Sequence, residues 1–351
     1  MKKHNKIFLG MALAAALLPL AACTDDVQQT VRLNIATEGS NGKFYISNRN
    51  TYFEMNDRIA INDQPYRLVN DGNGGKHWAD VPLPSNGNSF VAFYPRSFQN
   101  QVIGTTPEGY TASTTGDGHI SKTVQVKFPR KDTCFVFSYD GSEMGVDIPM
   151  VALAKTTDNS LYFRHAGAVI ALTIINNLSG TRYESLNVDS ISVYGIGGAK
   201  LSGVRDVTIT DGTSGTISVA DPVNQPLGSH YVSCHIGNNG APWIYPLGNT
   251  DGRRSSYILP ISVAPCNSST ILKFTVHGKW RYWNGSQYVE ESFVKYFSSY
   301  VSSLARNKYY SRNITITFEG NTDPDPAPDN PIPGLEGNLP IESHTPWGNL
   351  W

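Results

Sequence analysis

The chain has 351 residues, of which 40% are hydrophobic and only 16% are charged, and its formal net charge is −1. A chain so close to neutral lacks the basic surplus that attracts nucleic acid or an anionic membrane surface, which argues against both as partners. Glycine (32), proline (21) and tyrosine (18) are abundant, and this mixture is typical of short strands joined by tight turns.

The amino terminus has the pattern of an export signal that ends at a lipid attachment site. Lysines at positions 2, 3 and 6 precede an apolar run from Ile7 to Leu20. The run is too short to span a membrane, which takes about 20 apolar residues, and a signal peptide ends in small residues of this kind. The sequence Leu20-Ala21-Ala22-Cys23 resembles the bacterial lipobox. This resemblance implies that residues 1–22 are a lipoprotein signal peptide and that Cys23 is acylated and begins the mature chain.

A first strand is predicted soon after Cys23. Val31, Leu33 and Ile35 alternate with polar or small residues, and a period of two predicts a strand with one buried face. The segment that follows is polar and contains Arg49 within Ser47-Asn48-Arg49-Asn50. Proteolysis is most easily accommodated in such a loop. The alternative is that Arg49 is an ordinary surface arginine.

The middle of the chain predicts an all-β fold. Short strand candidates alternate with turn signals in two series, the first ending in the apolar run Leu161–Ile175 and the second extending from Leu186 to Phe318. The best helix candidate, Ser298–Ala305, is short. Regular strands and turns predict β-sandwiches, and the length favours two in tandem. We place them at 50–178 and 183–320, with residues 23–49 as a lipidated leader, and the seam at the polar cluster Asn176–Thr181.

The last residues, 321–351, predict a spacer followed by a terminal strand. Proline is frequent from Asn321 to Gly334, and because proline cannot donate to a sheet ladder, this stretch is predicted to be a semi-rigid spacer. The apolar residues beyond it include Leu339, Ile341, Trp347 and Trp351. A disordered tail normally lacks tryptophans, so either the chain's own domain or a neighbouring molecule is expected to cover the segment.

No catalytic or metal-binding pattern emerges from the sequence. His230, Cys234 and His235 are close in the chain, but Cys234 and His235 would face opposite sides of a strand, which argues against a zinc site. The same geometry separates Glu290 from Glu291, so they do not predict the paired carboxylates of a glycosidase. Phosphate-binding loops and nucleophile elbows are also missing from the sequence. We therefore expect neither enzymatic activity nor a cofactor or metal.

The cysteines do not predict a disulfide framework. Apart from Cys23 they are Cys134, Cys234 and Cys266. Because their number is odd, at least one thiol stays free or pairs between chains. Whether any two of them pair is left open.

Several strings, in the same order along the chain, resemble the fimbrillin family of type V pili in Bacteroidia. Phe53–Ile61 is similar to the family's Phe-x-x-Gly-Asp-x-Ile-x-Val segment, with Asn56 in place of glycine. The other strings are the lipobox, the first strand Val31–Ile35, the aromatic-Tyr-Pro strand end Ala92-Phe93-Tyr94-Pro95, the Phe-x-His-Ala strand in Leu161–Ala166, and the turn before the last core strand in Arg306–Tyr310.

This resemblance implies two transthyretin-like β-sandwiches and a mechanism of assembly. A precursor, anchored in the outer membrane through lipid on Cys23, reaches the cell surface, and an Arg-specific surface protease cuts after the first strand. A strand from another pilus subunit then fills the vacated groove, since an extended segment can add to an open sheet edge. The residues implied are Arg49 for processing, Val31, Leu33 and Ile35 for the strand that leaves, and Leu339, Ile341, Trp347 and Trp351 for the strand that enters.

The resemblance therefore implies a shaft or tip subunit of a fimbrium that supports adhesion. Other hypotheses on the function stay open. One is a pilus anchor or assembly protein that keeps its lipid. Another is a carbohydrate-binding surface lipoprotein, with a stacking platform made of Trp78, Trp243, Trp280 and Trp283. The tail likewise has an alternative, in which it folds back on its own sandwich.

Overall fold

The structure is a computed structural model that describes residues 29–37, 43–45, 50–52, 57–70, 77–100, 104, 108–136, 144–220, 230–236, 242–250, 252–318 and 342–343. In this part of the chain there is no α-helix, only strands and one 3₁₀ turn at Arg96–Phe98, so the predicted all-β class is confirmed. No helix of the described residues has the length and apolarity needed to cross a membrane.

The strands, in chain order, are β1 (Thr30–Thr37), β2 (Lys43–Tyr45), β3 (Asn50–Tyr52), β4 (Arg58–Ile61), β5 (Gln64–Arg67), β6 (Val69–Asn70), β7 (His77–Pro82), β8 (Ser89–Tyr94), β9 (Ser113–Thr114), β10 (Ile120–Phe128), β11 (Lys131–Val136), β12 (Met144–Asp147), β13 (Met150–Lys155), β14 (Ser160–His165), β15 (Ala168–Asn176), β16 (Ser185–Gly195), β17 (Gly203–Thr210), β18 (Ile217–Val219), β19 (Tyr231–Ile236), β20 (Ser256–Val263), β21 (Thr270–Trp283), β22 (Tyr288–Val301), β23 (Tyr309–Ile316) and β24 (Glu342–Ser343).

The first core lies inside an eight-stranded sheet with the order β5-β4-β8-β13-β14-β1-β7-β6. The two halves of the sheet meet where β13 pairs with β14. Buried side chains from both halves contact one another, among them Leu33 of β1, Phe90 of β8 and Leu161 of β14. The sheet therefore folds over this core as the two layers of a sandwich.

Strands β8 and β13 are buried on both faces. In β8, Phe90, Ala92 and Tyr94 belong to the first core, whereas Val91 and Phe93 belong to a second core on the opposite side. The second core is covered by a four-stranded sheet with the order β18-β17-β10-β9. Double burial explains why β8 is a continuous apolar run rather than an alternating one.

The third core lies between the two remaining sheets. Their strand orders are β22-β21-β16-β19-β11-β12-β2-β3 and β20-β15-β23-β24. Leu172 of β15, Val193 of β16 and Phe274 of β21 are fully or almost fully buried in it. The best helix candidate of the sequence, Ser298–Ala305, is not helical, because β22 continues to Val301 and Leu304 forms a bridge with Cys266.

The predicted seam at Asn176–Thr181 is not the place where the chain passes from the first core to the third, because β15 before it and β16 after it both pack on the third core. The run Leu161–Ile175, predicted as one strand, is divided at Ala166-Gly167 into β14 of the first core and β15 of the third. Later, β17 and β18 pair with β10 and with each other over the second core, while β11 pairs with β19 of the third. The ranges 50–178 and 183–320 therefore do not separate the sheets, because local hydrophobic patterns do not record long-range strand pairing.

Candidate functional site

The alternation of Val31, Leu33 and Ile35 predicts a strand, and these residues lie in β1. This strand has a neighbour on each side in its sheet. Residues 30–35 of β1 pair antiparallel with residues 77–82 of β7, and residues 34–37 pair parallel with residues 160–163 of β14. Because both edges of β1 are occupied, its removal would leave two facing rows of unpaired backbone groups. We call the space between β7 and β14 the β1 slot.

The inward face of β1 is apolar and buried. Leu33 is completely buried, Ile35 is 8% exposed, and Val31 packs partly buried against the same core. Burial of such a side chain stabilises a fold by about 1.5–3 kcal/mol. Core residues of the flanking strands, including Val81 and Leu161, lose these neighbours if β1 leaves.

The outward face of β1 carries an ion pair in solvent. Arg32 Nε donates to Asp80 Oδ1 at 2.9 Å, and Nη2 donates to Oδ2 at 3.2 Å. The guanidinium also lies 5.5 Å from the ring centroid of Trp78. The hydrogen bond from Arg32 lowers the pKa of the Asp80 carboxyl. Both side chains are more than half exposed, so this pair contributes little to stability compared with the inward face.

A cavity of about 550 Å³ lies between β5 and the end of β7, the antiparallel partner of β1. Tyr66 of β5 lines one side, and Val81 of β7 with Leu83 beyond its end lines another. The Leu83 amide also donates to the carbonyl of Gln29, just before β1. Since β5 and β6 are the two ends of the folded sheet, the sandwich is joined at β13–β14 and has its free edges on the other side.

The segment after β1 forms strands of a different sheet. Residues 43–45 of β2 pair with residues 50–52 of β3 and also with residues 145–147 of β12. Arg49 is in the connection between β2 and β3 and lies outside the described residues. A cut after Arg49 would remove β2 together with β1 and leave β3 on the remaining chain. The sequence does not predict β2, because its three residues are too few to show a period.

The tail touches its own carboxy-terminal sheet. Ser343 and Glu342 of β24 pair with Tyr310 and Ser311 of β23, at the edge of the sheet. This pairing agrees with the alternative in which the tail folds back on its own sandwich. The other predicted site residues, Cys23, Leu339, Ile341, Trp347 and Trp351, lie outside the described residues.

The side chains considered for metal binding and catalysis are separated in the structure. Cys234 is buried and His235 is exposed, while His230 Nδ1 lies 2.7 Å from the carbonyl oxygen of Ala199. Among the described residues, no three histidine, cysteine or acidic side chains are grouped so as to hold a metal ion. Cys234 and Cys266 are both buried and are not joined by a disulfide.

The adjacent carboxylates Glu290 and Glu291 diverge. Glu290 pairs with Lys279 at 3.4 Å, whereas Glu291 accepts from Arg182 at 2.8 Å. Tyr183 also donates to Glu291, and this hydrogen bond adds to the effect of burial in raising the pKa of the tyrosine. Glu290 therefore connects β22 to β21, whereas Glu291 connects β22 to the segment before β16.

The four tryptophans considered as a platform do not lie together. Trp280 is only 8% exposed and stacks on Phe293 within the third core, with ring centroids 4.8 Å apart. Trp78 belongs to β7 of the first core's sheet. Only Trp243 and Trp283 contribute to one surface, where Arg281 and Tyr288 join them. The four tryptophans therefore do not form one platform, because strand alternation places Trp280 on the buried face of β21 and Trp283 on the opposite face.

Comparisons with known proteins give structural neighbours but no family. No protein-family model matches the sequence, and no curated protein matches it. A fimbrial protein from Bacteroides vulgatus is 8% identical, with 90% of this chain and 99% of that chain covered and a TM-score of 0.40. A proposed cell adhesion protein from Bacteroides ovatus is 12% identical, with 82% and 92% covered and a TM-score of 0.35. Another, from Parabacteroides distasonis, is 14% identical, with 92% and 98% covered and a TM-score of 0.34. These three neighbours are thus fimbrial and cell adhesion proteins of Bacteroidales, at identities too low to assign a family.

Proposed function

We propose that this chain is a structural subunit of a type V pilus, in the shaft or at the tip, and not an enzyme. It is exported as a precursor with lipid on Cys23, held at the outer membrane, and assembled at the cell surface when an Arg-specific protease cuts after Arg49. The single observation that carries the proposal is the position of β1, which is the first described strand of the chain and yet is central and buried in its sheet.

One cut is sufficient to disconnect β1 from the rest of the fold. Its partners β7 and β14 are remote in sequence, so the segment between β1 and β4 is its only covalent link to them. After a cut in that segment, β1 is held by hydrogen bonds and apolar contacts alone. Its departure opens an edge with apolar pockets, and an extended segment from another molecule can occupy such an edge.

The tail has a spacing that suits the β1 slot. Leu339 and Ile341 are two positions apart, as are Leu33 and Ile35, and this spacing directs both side chains to one face of a strand. Pro340 lies between them and has no amide N–H to donate. A strand formed by the tail would therefore make one hydrogen bond fewer to its neighbours than β1 does. From Asn321 to Gly334 the spacer, extended at about 3.1 Å per residue, reaches about 43 Å. That length brings the tail to a neighbouring subunit.

The pairing of β24 with β23 fits the state before assembly. An apolar tail on a precursor that faces water needs cover, and the edge of β23 provides a pairing partner within the same molecule. During assembly the tail leaves the edge of β23 and occupies the whole β1 slot of the next subunit.

A peptide-binding experiment tests this proposal. The intact precursor and the same protein cut after Arg49 are each titrated with a synthetic peptide of residues 335–351. We expect the peptide to bind the cut protein and not the intact one, because β1 occupies the slot in the latter. The matched control is the same peptide with Leu339→Asp and Ile341→Asp, which should bind neither. Equal binding of the native peptide to both proteins, or to neither, would contradict the proposal.

One alternative is an anchor or assembly protein that retains its lipid. It predicts that the chain in assembled pili still begins at Cys23 and that the peptide finds no slot. The two readings thus differ in the state of the Arg49–Asn50 bond.

A further inference from the structure

The β21–β22 hairpin extends beyond the neighbouring strand of its sheet. Strands β21 and β22 pair as far as Trp283 opposite Tyr288, whereas β16 begins at Ser185 opposite Arg281. The hairpin end therefore projects from the body of the third core's sheet.

Trp283 and Tyr288 expose their rings at this projecting end. Trp283 is 50% exposed and Tyr288 is 46% exposed. Their ring centroids are 5.3 Å apart in an edge-to-face arrangement. Two aromatic side chains thus present about half of their surface to solvent at the tip of a regular hairpin.

Arg281 connects these rings to a second pair of aromatic residues. Its guanidinium carbon lies 4.1 Å from the ring centroid of Trp243 and 4.5 Å from that of Tyr288. Its Nε donates to Ser185 Oγ at 2.8 Å, and its Nη2 donates to the Tyr245 hydroxyl at 3.1 Å. We call Trp243, Tyr245, Arg281, Trp283 and Tyr288 the hairpin-end surface.

The hairpin-end surface is held in place by its surroundings. The turn between the strands is fixed because Asn284 Oδ1 accepts from the amides of Ser286 and Gln287, both at 3.0 Å. The Arg253 guanidinium lies 4.6 Å from the ring centroid of Tyr245 and adds a second cation to the surface. A surface fixed in advance loses little conformational entropy when a ligand binds.

We propose that the hairpin-end surface binds a saccharide. A pyranose ring has an apolar C–H face that stacks on an exposed indole or phenol ring, and its rim of hydroxyl groups accepts hydrogen bonds from guanidinium groups. The surface supplies both features side by side, with exposed rings at Trp283 and Tyr288 and cations at Arg281 and Arg253. The adjacent charges of Lys279 and Glu290 pair with each other at 3.4 Å, so they do not oppose this arrangement.

The size of the exposed area favours a sugar over a protein. An aromatic side chain offers about 150–250 Å² in all, so two half-exposed rings offer about 200 Å². A stable protein interface buries about 800 Å² on each partner. The exposed rings therefore match one or two sugar residues and are too small for a second copy of the chain.

The test uses the full chain on a printed panel of neutral, uronic-acid and sialic-acid oligosaccharides, followed by titration of the best binder. We expect binding that Trp283→Ala weakens at least tenfold and that Trp283→Phe largely retains. The matched control is Tyr300→Ala, since Tyr300 is 44% exposed on β22 of the same hairpin but pairs with Ile271, far from the hairpin end. Binding of either neutral or acidic sugars supports the proposal if it depends on Trp283.

Two results would overturn the saccharide proposal. One is that no oligosaccharide binds, or that binding is equal in the wild type and Trp283→Ala. The other is a Trp283-dependent change in sedimentation without sugar binding, which would make the surface a contact between copies of the chain. Both results are independent of strand exchange, because the hairpin-end surface lies on a different sheet from β1.

Discussion

The backbone amide of Asn34 and the carbonyl of Asn159 form a hydrogen bond of 2.8 Å between residues 125 positions apart. The side-chain amide of Asn34 donates to the same carbonyl at 3.2 Å. Asn159 immediately precedes β14, so these bonds attach the first strand to a strand that comes much later in the chain. The contacts that hold β1 are therefore non-covalent links to the rest of the fold, and this makes β1 a separable part.

The inward face of β1 should contribute most of its stabilisation. Leu33→Ala in the precursor is expected to lower the free energy of unfolding by about 2–5 kcal/mol, because it leaves a cavity at a completely buried position. Arg32→Ala is the matched control on the outward face and should change the free energy of unfolding little. Urea unfolding of the two variants measures the difference. Equal effects would mean that Leu33 does not hold β1 in the sheet.

The ion pair of β1 should give the precursor a small dependence of stability on acid pH. The pKa of Asp80 is lowered in the fold, so its contribution is present above the ordinary value of about 3.9 and is lost as the pH falls through the lower folded value. Asp80→Asn should remove this part of the dependence. Unfolding free energies compared between about pH 5 and about pH 2 measure it. Identical pH profiles for the wild type and the variant would contradict the assignment.

The interleaved sheets predict that the two halves of the chain do not fold separately. A fragment of residues 183–320 lacks β15, which lies between β20 and β23, and β10, which pairs with β17. We expect this fragment to show no cooperative thermal unfolding, whereas residues 50–320 retain both pairings. A cooperative transition in the fragment 183–320 would show that the interleaving is not required.

The features that the sequence predicted correctly are those with a local signature. The alternation of Val31, Leu33 and Ile35 reports one buried face, and the structure places β1 accordingly. The continuous run in β8 also indicates a strand, since layers cover both of its faces.

The features that sequence analysis missed depend on contacts between distant segments. β17 pairs with β10, and β2 pairs with β12. The local sequence of each strand contains no signal that identifies its partner. Similarly, Arg281 becomes the centre of the hairpin-end surface only because folding brings Trp243 to within 4.1 Å of it. The transthyretin-like topology, the lipid on Cys23 and the cut at Arg49 stay predictions.

The amino-terminal residue of the subunit in isolated surface pili tests the central claim most directly. We predict that the assembled subunit begins at Asn50, and that an Arg49→Gln variant accumulates as a precursor that retains β1 and does not enter pili. Arg58→Gln is a matched control, since Arg58 is exposed at the start of β4 and lies beyond the predicted cut. Assembled pili that contain the chain with its lipidated Cys23, or normal pili formed by the Arg49→Gln variant, would contradict the account.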